Sequence, residues 1–223
     1  MTDYIMLKAF AYEHLRDMIQ TNVLEFNKVY SETKIAADLS ISRTPVREAL
    51  VRLNNERYID ILPSRGFMLH KPTDEDIVES YHVRMATESY CGRILAREYQ
   101  SEDGRNTIAS MRSLLDRQIE IDRQSYEQNR VEFWQVDVQF HNQLVNYIKC
   151  PSFDNLFNTF IHFFMSLRIK NFIHKGRNKT TLIEHERIVD ALTRGDEQAT
   201  LDAIQTHLKS SLDITLSSLE TLN

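Results

Sequence analysis

Glycine and proline are scarce in this chain of 223 residues, at five and four respectively. These residues punctuate most turns, so their shortage suits an all-α architecture and leaves few places for the chain to reverse. Cysteine is scarcer still. Cys91 and Cys150 stand alone, without CxxC spacing, and two isolated thiols fit a reducing compartment rather than a disulfide scaffold. No apolar run approaches the roughly 20 residues that a membrane-spanning helix needs. The N-terminus lacks the basic-then-apolar-then-small pattern of a secretory signal, so a cytoplasmic protein without membrane contact is expected. An excess of positive charge is missing as well. The net charge is −5, which excludes a uniformly basic nucleic-acid coat. Residues 1–70 carry nine Lys plus Arg against nine Asp plus Glu, so the acidic excess lies beyond them and any DNA affinity must come from a local patch.

What is present is enough apolar material for two cores, 42% hydrophobic against 26% charged. No internal repeat or low-complexity segment appears. The segment Lys71-Pro72-Thr73 marks a boundary, and the expected domains are residues 1–71 and 72–223.

The most informative stretch is Ser42-Arg43-Thr44-Pro45-Val46-Arg47-Glu48-Ala49-Leu50. Thr44 is expected to cap a helix and Pro45 to take its first position. Val46, Ala49, Leu50 and Leu53 then follow at helical spacing and form the buried stripe. Arg43 and Arg47 stay off that stripe, so two guanidiniums flank the positive end of a short amphipathic helix, an arrangement suited to guanine edges and phosphates. Upstream, Ser31 can cap a second short helix carrying Ile35, Ala36 and Leu39, and Ser40-Ile41 makes a tight link. Downstream, Tyr58–Leu62 and Phe67–His70 are β-prone runs joined by Pro63-Ser64-Arg65-Gly66. Helix, helix-turn-helix and hairpin together predict a winged helix.

The run SRTPVREAL followed by a hairpin ending in RGF resembles the winged helix of GntR-type bacterial transcription regulators, in the FadR-like branch with an FCD ligand-binding domain. The resemblance implies that Arg43, Thr44 and Arg47 contact double-stranded DNA. It also implies that Arg65 and Gly66 approach the minor groove from the wing.

Beyond the boundary the chain reads as helical to its end, with Thr73 capping a first turn rich in acid. Helices are expected at about 74–99, 103–128, 131–148, 152–174, 178–194 and 196–220. The expected fold is mostly α: a winged helix-turn-helix followed by an all-α antiparallel bundle of six or seven helices.

One bundle helix carries groups that packing alone does not favour. Asp137 and His141 share the face of Phe133, Phe140, Leu144 and Ile148, and buried charges need partners. His185 continues into Ile188, Val189 and Leu192, and His207 lies beside Ile204, Leu208 and Leu212. If these helices lean together, three imidazoles and one carboxylate converge as a core metal site does. The ligand types favour zinc, with nickel or manganese also compatible. The family resemblance implies the same set, since many FCD domains bind a metal through an Asp-x-x-x-His helix and two later histidines. His14, His70, His82, His162 and His174 fit no part of that pattern and are read as surface or packing residues. Glu184 and Glu186, flanking His185, are expected to point away from the metal face.

In Val83-Arg84-x-x-x-Glu88 the resemblance places an arginine reaching toward a carboxylate effector, while the spacing alone is equally that of an ion pair between Arg84 and Glu88. Asn142 and Arg168 are further candidates for the cavity wall.

The reading that joins these parts is a repressor or activator, not an enzyme. It acts as a homodimer through its C-terminal domain, binds a near-palindromic operator and responds to a small carboxylate at a metal site. Two alternatives stay open on sequence alone: a metal-dependent enzyme of small carboxylates tethered to DNA, and a purely structural metal.

Overall fold

The computed structural model describes residues 2–21, 23–154, 156–157 and 177–220. They form two compact units that divide between Pro72 and Thr73.

The first unit contains α1 (Thr2–Gln20), α2 (Glu32–Asp38), α3 (Arg43–Asn55), β1 (Ile59–Leu62) and β2 (Gly66–Leu69). Its core draws Leu15 and Ile19 from α1, Ile35 from α2, Val46, Ala49, Leu50 and Leu53 from α3, and Ile59 and Phe67 from the hairpin. The apolar stripe anticipated for α3 is thus the face that packs. Ser31 caps α2 by accepting from the Lys34 amide at 3.4 Å. The turn closes as the Ile41 amide donates to the Ala36 carbonyl at 3.0 Å, with Ser40 at φ 56°.

Helix α3 starts earlier than expected. Ser42, extended at φ −70° and ψ 162°, is its cap position, and its side chain makes no capping bond. Thr44 is therefore not the cap, and Pro45 is the third helical residue rather than the first. That placement is still free of cost, because the first four amides of a helix have no partner within it. Thr44 is left exposed on the helix surface.

The two strands pair antiparallel, Ile59 with Leu69 and Leu62 with Gly66. On the other edge of β2, Tyr30 and Phe67 exchange backbone bonds of 2.7 and 2.9 Å. That contact explains Gly66. At φ +121° it lies so close to Tyr30 that a Cβ would sit 2.0 Å from the Tyr30 carbonyl oxygen.

The second unit contains α4 (Asp74–Arg97), α5 (Glu102–Asn146), α6 (Arg177–Arg194) and α7 (Glu197–Glu220). Thr73 opens α4 with a capping box: its hydroxyl accepts from the Asp76 amide at 3.2 Å and its own amide donates to Asp76 Oδ2 at 2.9 Å. α5 consists of two helical segments, as expected over 103–128 and 131–148, joined by a kink in which Ser125 (φ −176°, ψ 95°) and Asn129 (φ −111°, ψ 21°) leave helical geometry. Gly195, at φ +67°, reverses the chain between α6 and α7. The helix expected over 152–174 begins in place, with Phe157 fully buried, and its remainder lies outside the described residues. No described helix is long and apolar enough to cross a membrane.

Candidate metal centre and nucleic-acid interface

Three helices of the second unit each contribute one buried imidazole: His141 from α5, His185 from α6 and His207 from α7. Among the described residues they form a group that could hold a metal ion, with one ligand atom from each lying within 4.8 Å of the others. Asp137, one turn before His141 and 22% exposed, faces them, Oδ2 3.8 Å from His141 Nε2 and Oδ1 3.6 Å from His185 Nε2. The Nε2 atoms of His207 and His141 are 3.2 Å apart.

Each ring is oriented from behind by a different partner. His141 Nδ1 donates to Glu88 Oε2 at 2.6 Å, His207 Nδ1 to Glu184 Oε2 at 2.8 Å, and His185 Nδ1 to Gln118 Oε1 at 2.9 Å. Gln118 presents its oxygen to His185 because its amide nitrogen donates to Asp137 Oδ1 at 3.3 Å. The Phe140 ring stacks on His185 at 4.1 Å between centroids.

Both carboxylates behind the histidines are in turn held by arginines. Arg84 Nε donates to Glu88 Oε1 at 2.7 Å, and Arg177 Nη2 to Glu184 Oε2 at 2.6 Å. Burial pushes Glu88 up, but the charges of Arg84 and His141 outweigh it and hold the carboxyl at about 2. Burial is outweighed at Glu184 too, here by hydrogen bonds from His207 and Arg177, giving about 2. Both groups are therefore anions that only accept, so the imidazole nitrogens facing them carry the protons. Burial, then repulsion from His207 and His141, drives His185 well below its usual value, so that ring is neutral.

The donor set fits a divalent cation. With each Nδ1 turned to Glu88, Gln118 or Glu184, the Nε2 atoms are left as the ligand atoms, and those of His141 and His207 lie 3.2 Å apart. Among the described residues, the buried His185 Nε2 has no hydrogen-bond partner. Three imidazoles and a carboxylate, each ring fixed by an outer hydrogen bond, are the ligand types and the second layer of zinc and related sites.

Arg84 has the ion pair that its spacing to Glu88 predicted, and more: among the described residues its buried Nη2 has no hydrogen-bond partner. Among the described residues no hydrogen bond joins Asn142 to the cluster, and Arg168, His162 and His174 lie outside them. His82 is exposed and His70 bonds Asp60 at 2.8 Å. Glu184 bonds the outer Nδ1 of His207, away from the paired Nε2 atoms, and is buried there, whereas Glu186 pairs with Arg112 near the surface. Glu88, Gln118 and Glu184 are the functional candidates that sequence reasoning missed. Gln118 alone left a trace, a polar residue at helical spacing among Met111, Leu115 and Ile121.

In the first unit, Arg43, Thr44 and Arg47 are exposed along the start of α3, and Arg65 is exposed on the hairpin turn. The Glu32 carboxylate touches both Arg43 and Arg47. Gly66 is committed to the Tyr30 backbone, which accounts for glycine there without any ligand.

Residues 7–69 match the family of bacterial regulatory proteins named gntR, and residues 79–210 match the FCD domain. The chain is 25% identical over 201 residues to an uncharacterized HTH-type transcriptional regulator, YdhC, of Bacillus subtilis, covering 88% of this chain and 85% of that one. It is 28% identical over 203 residues to the gluconate operon transcriptional repressor of the same organism, covering 87% of this chain and 78% of the repressor. Its fold resembles the crystal structure of a GntR regulator from Rhodococcus sp. RHA1, with a TM-score of 0.69, 23% identity and coverage of 94% and 97%. With a winged helix under the first match and the histidine cluster under the second, the chain belongs to the GntR family of bacterial regulatory proteins that carry an FCD domain.

Proposed function

We propose that the chain is a ligand-responsive transcriptional repressor of the cytoplasm. Two copies, joined through the FCD domain, read the half-sites of a near-palindromic operator, because one winged helix buries too little surface to be specific alone. Arg43, Thr44 and Arg47 contact base edges and phosphates, and Arg65 reaches from the wing with Gly66 setting its turn. Asp137, His141, His185 and His207 hold a divalent metal, zinc by ligand type, with nickel or manganese compatible.

The effector is a small carboxylate. Bound metal supplies a Lewis-acidic position for one carboxylate oxygen. Arg84 offers its unpartnered Nη2 to the other, from a guanidinium already oriented by Glu88. Asn142 and Arg168 are the further residues assigned to the effector in this reading. Sensing rather than turnover is the role this reading assigns: among the described residues the buried carboxylates behind the cluster, Glu88 and Glu184, are pinned by arginines and imidazoles rather than poised as general bases. One relative is named as the repressor of a gluconate operon, and gluconate is a hydroxylated carboxylate, which supports the class of effector. A ligand shifts DNA affinity only as far as it binds two arrangements of the dimer unequally.

The observation that carries this reading is the convergence of three buried imidazoles, with Asp137 beside two of them, in a chain whose other unit matches a family of DNA-binding regulators. A thermal-shift screen of small carboxylates, gluconate included, on zinc-loaded and chelated protein tests it. The expected result is a rise in Tm with zinc and none after chelation. Equal shifts in both states contradict a metal-held effector.

A further inference from the structure

Glu32 opens α2, the helix before the reading helix, and its carboxylate meets both reading arginines. Arg43 brings Nε to Oε1 at 3.1 Å and lays Nη2 on the same oxygen. Arg47 brings Nε to within 3.4 Å of Oε2. The Glu32 side chain is 17% exposed, against 60% and 69% for the two arginines. The carboxylate is thus lodged beneath two guanidiniums whose outer edges remain open. Hydrogen bonding from Arg43 outweighs burial and lowers its pKa, so it is an anion at any working pH.

We propose that Glu32 is a specificity-determining residue of the DNA interface, resting on the DNA-reading role given above. A guanidinium has five N–H donors, and the contact with Glu32 uses Nε–H and one Nη2–H of Arg43. The three that remain suffice for a bidentate pair with guanine O6 and N7. A long side chain with much rotamer freedom is held in place before DNA arrives, so less entropy is lost on forming that pair. One carboxylate between two guanidiniums also cancels about half of their charge. Phosphate attraction is independent of sequence and scales with that charge, whereas base-edge bonding scales with geometry. Glu32 therefore weakens binding to arbitrary DNA more than binding to the operator. The even balance of nine basic and nine acidic residues over 1–70 is consistent with a reader that does not rely on bulk attraction.

The test uses the full chain, a duplex selected by the wild-type protein from a randomised pool, and a scrambled duplex of equal composition. Glu32→Gln is expected to tighten binding to the scrambled duplex and to steepen its salt dependence by about one phosphate contact. It is expected to reduce the ratio of selected to scrambled affinity about tenfold. Glu25→Gln is the charge-matched control, since Glu25 pairs with Lys28 at 3.6 Å, away from the reading helix; it should move both affinities together. Glu32→Asp keeps the charge but shortens the arm, and should lower the ratio without tightening the scrambled duplex. It also serves if the glutamine variant fails to fold. A ratio unchanged from wild type in the folded Glu32 variants overturns the proposal while leaving DNA reading intact. A pool that yields no enriched sequence overturns DNA reading itself, and this assignment with it.

Discussion

His141 and His207 hold their Nε2 atoms 3.2 Å apart while each Nδ1 is already hydrogen-bonded to a carboxylate, Glu88 for one and Glu184 for the other. Two ring nitrogens so placed need either a proton or a cation between them. Nearly parallel planes, 24° apart, and an adjacent Asp137 carboxylate complete a site that favours positive charge at its centre. The fold fixes this arrangement from behind, through Arg84–Glu88 and Arg177–Glu184.

Removing a ligand should cost more than removing the group behind it. His141→Ala is expected to lower zinc affinity by more than the roughly 10–100-fold typical of an outer partner. Elemental analysis and competition with a chromophoric chelator measure this. An unchanged zinc content would exclude His141 as a ligand.

Glu88→Gln and Glu184→Gln should each weaken zinc binding about 10–100-fold without changing its stoichiometry. The amide can still accept from the imidazole but no longer raises its basicity. If both variants melt cooperatively and bind zinc like wild type, these carboxylates serve packing alone.

Acid should destabilise the metal-free protein in two stages. Burial, then the neighbouring imidazoles, depresses His185, and burial also lowers His207 against the opposing pull of Glu184. An unfolded chain takes up these protons below about pH 6.5 while the folded one refuses them, so stability falls with pH there by up to about 1.4 kcal/mol per unit for each proton refused. Glu88 and Glu184, depressed to about 2, add stability that is fully present above the ordinary carboxylate range. It is lost as pH falls from about 4.5 through about 2. Urea unfolding of chelated protein between neutral pH and pH 5 reads the first stage. Stability that is flat or rising on acidification contradicts it.

Gly66→Ala should destabilise the winged helix by about 1–3 kcal/mol, since the new Cβ meets the Tyr30 carbonyl at a φ that side chains rarely adopt. Chemical denaturation followed by circular dichroism gives the value. A wild-type midpoint would show that the strand edge can shift at no cost.

The reading helix was legible because its signal is local: Val46, Ala49, Leu50 and Leu53 recur at helical spacing, and all four are buried. Its start was misplaced because Ser42 and Thr44 are both cap formers and Pro45 tolerates any of the first positions. The division within α5 was legible to within a few residues, since the break expected between 128 and 131 lies beside the non-helical Ser125 and Asn129. In the second unit, periodicity assigned His141, His185 and His207 to apolar faces, but it cannot say which faces meet. Glu88 and Glu184 were harder still. A charged residue buried by a partner 53 or 23 positions away has the same sequence signature as one in water.

The central claim is that operator affinity is an output of the metal and carboxylate pocket. The most direct measurement titrates the selected duplex with zinc-loaded full-length protein, with and without a carboxylate that raises its Tm, and repeats both with His141→Ala. The account predicts a carboxylate-dependent change of about 5–150-fold in operator affinity, the usual span of allosteric coupling, which disappears in the variant. Operator affinity that ignores the carboxylate in wild type, or responds equally in His141→Ala, would contradict it.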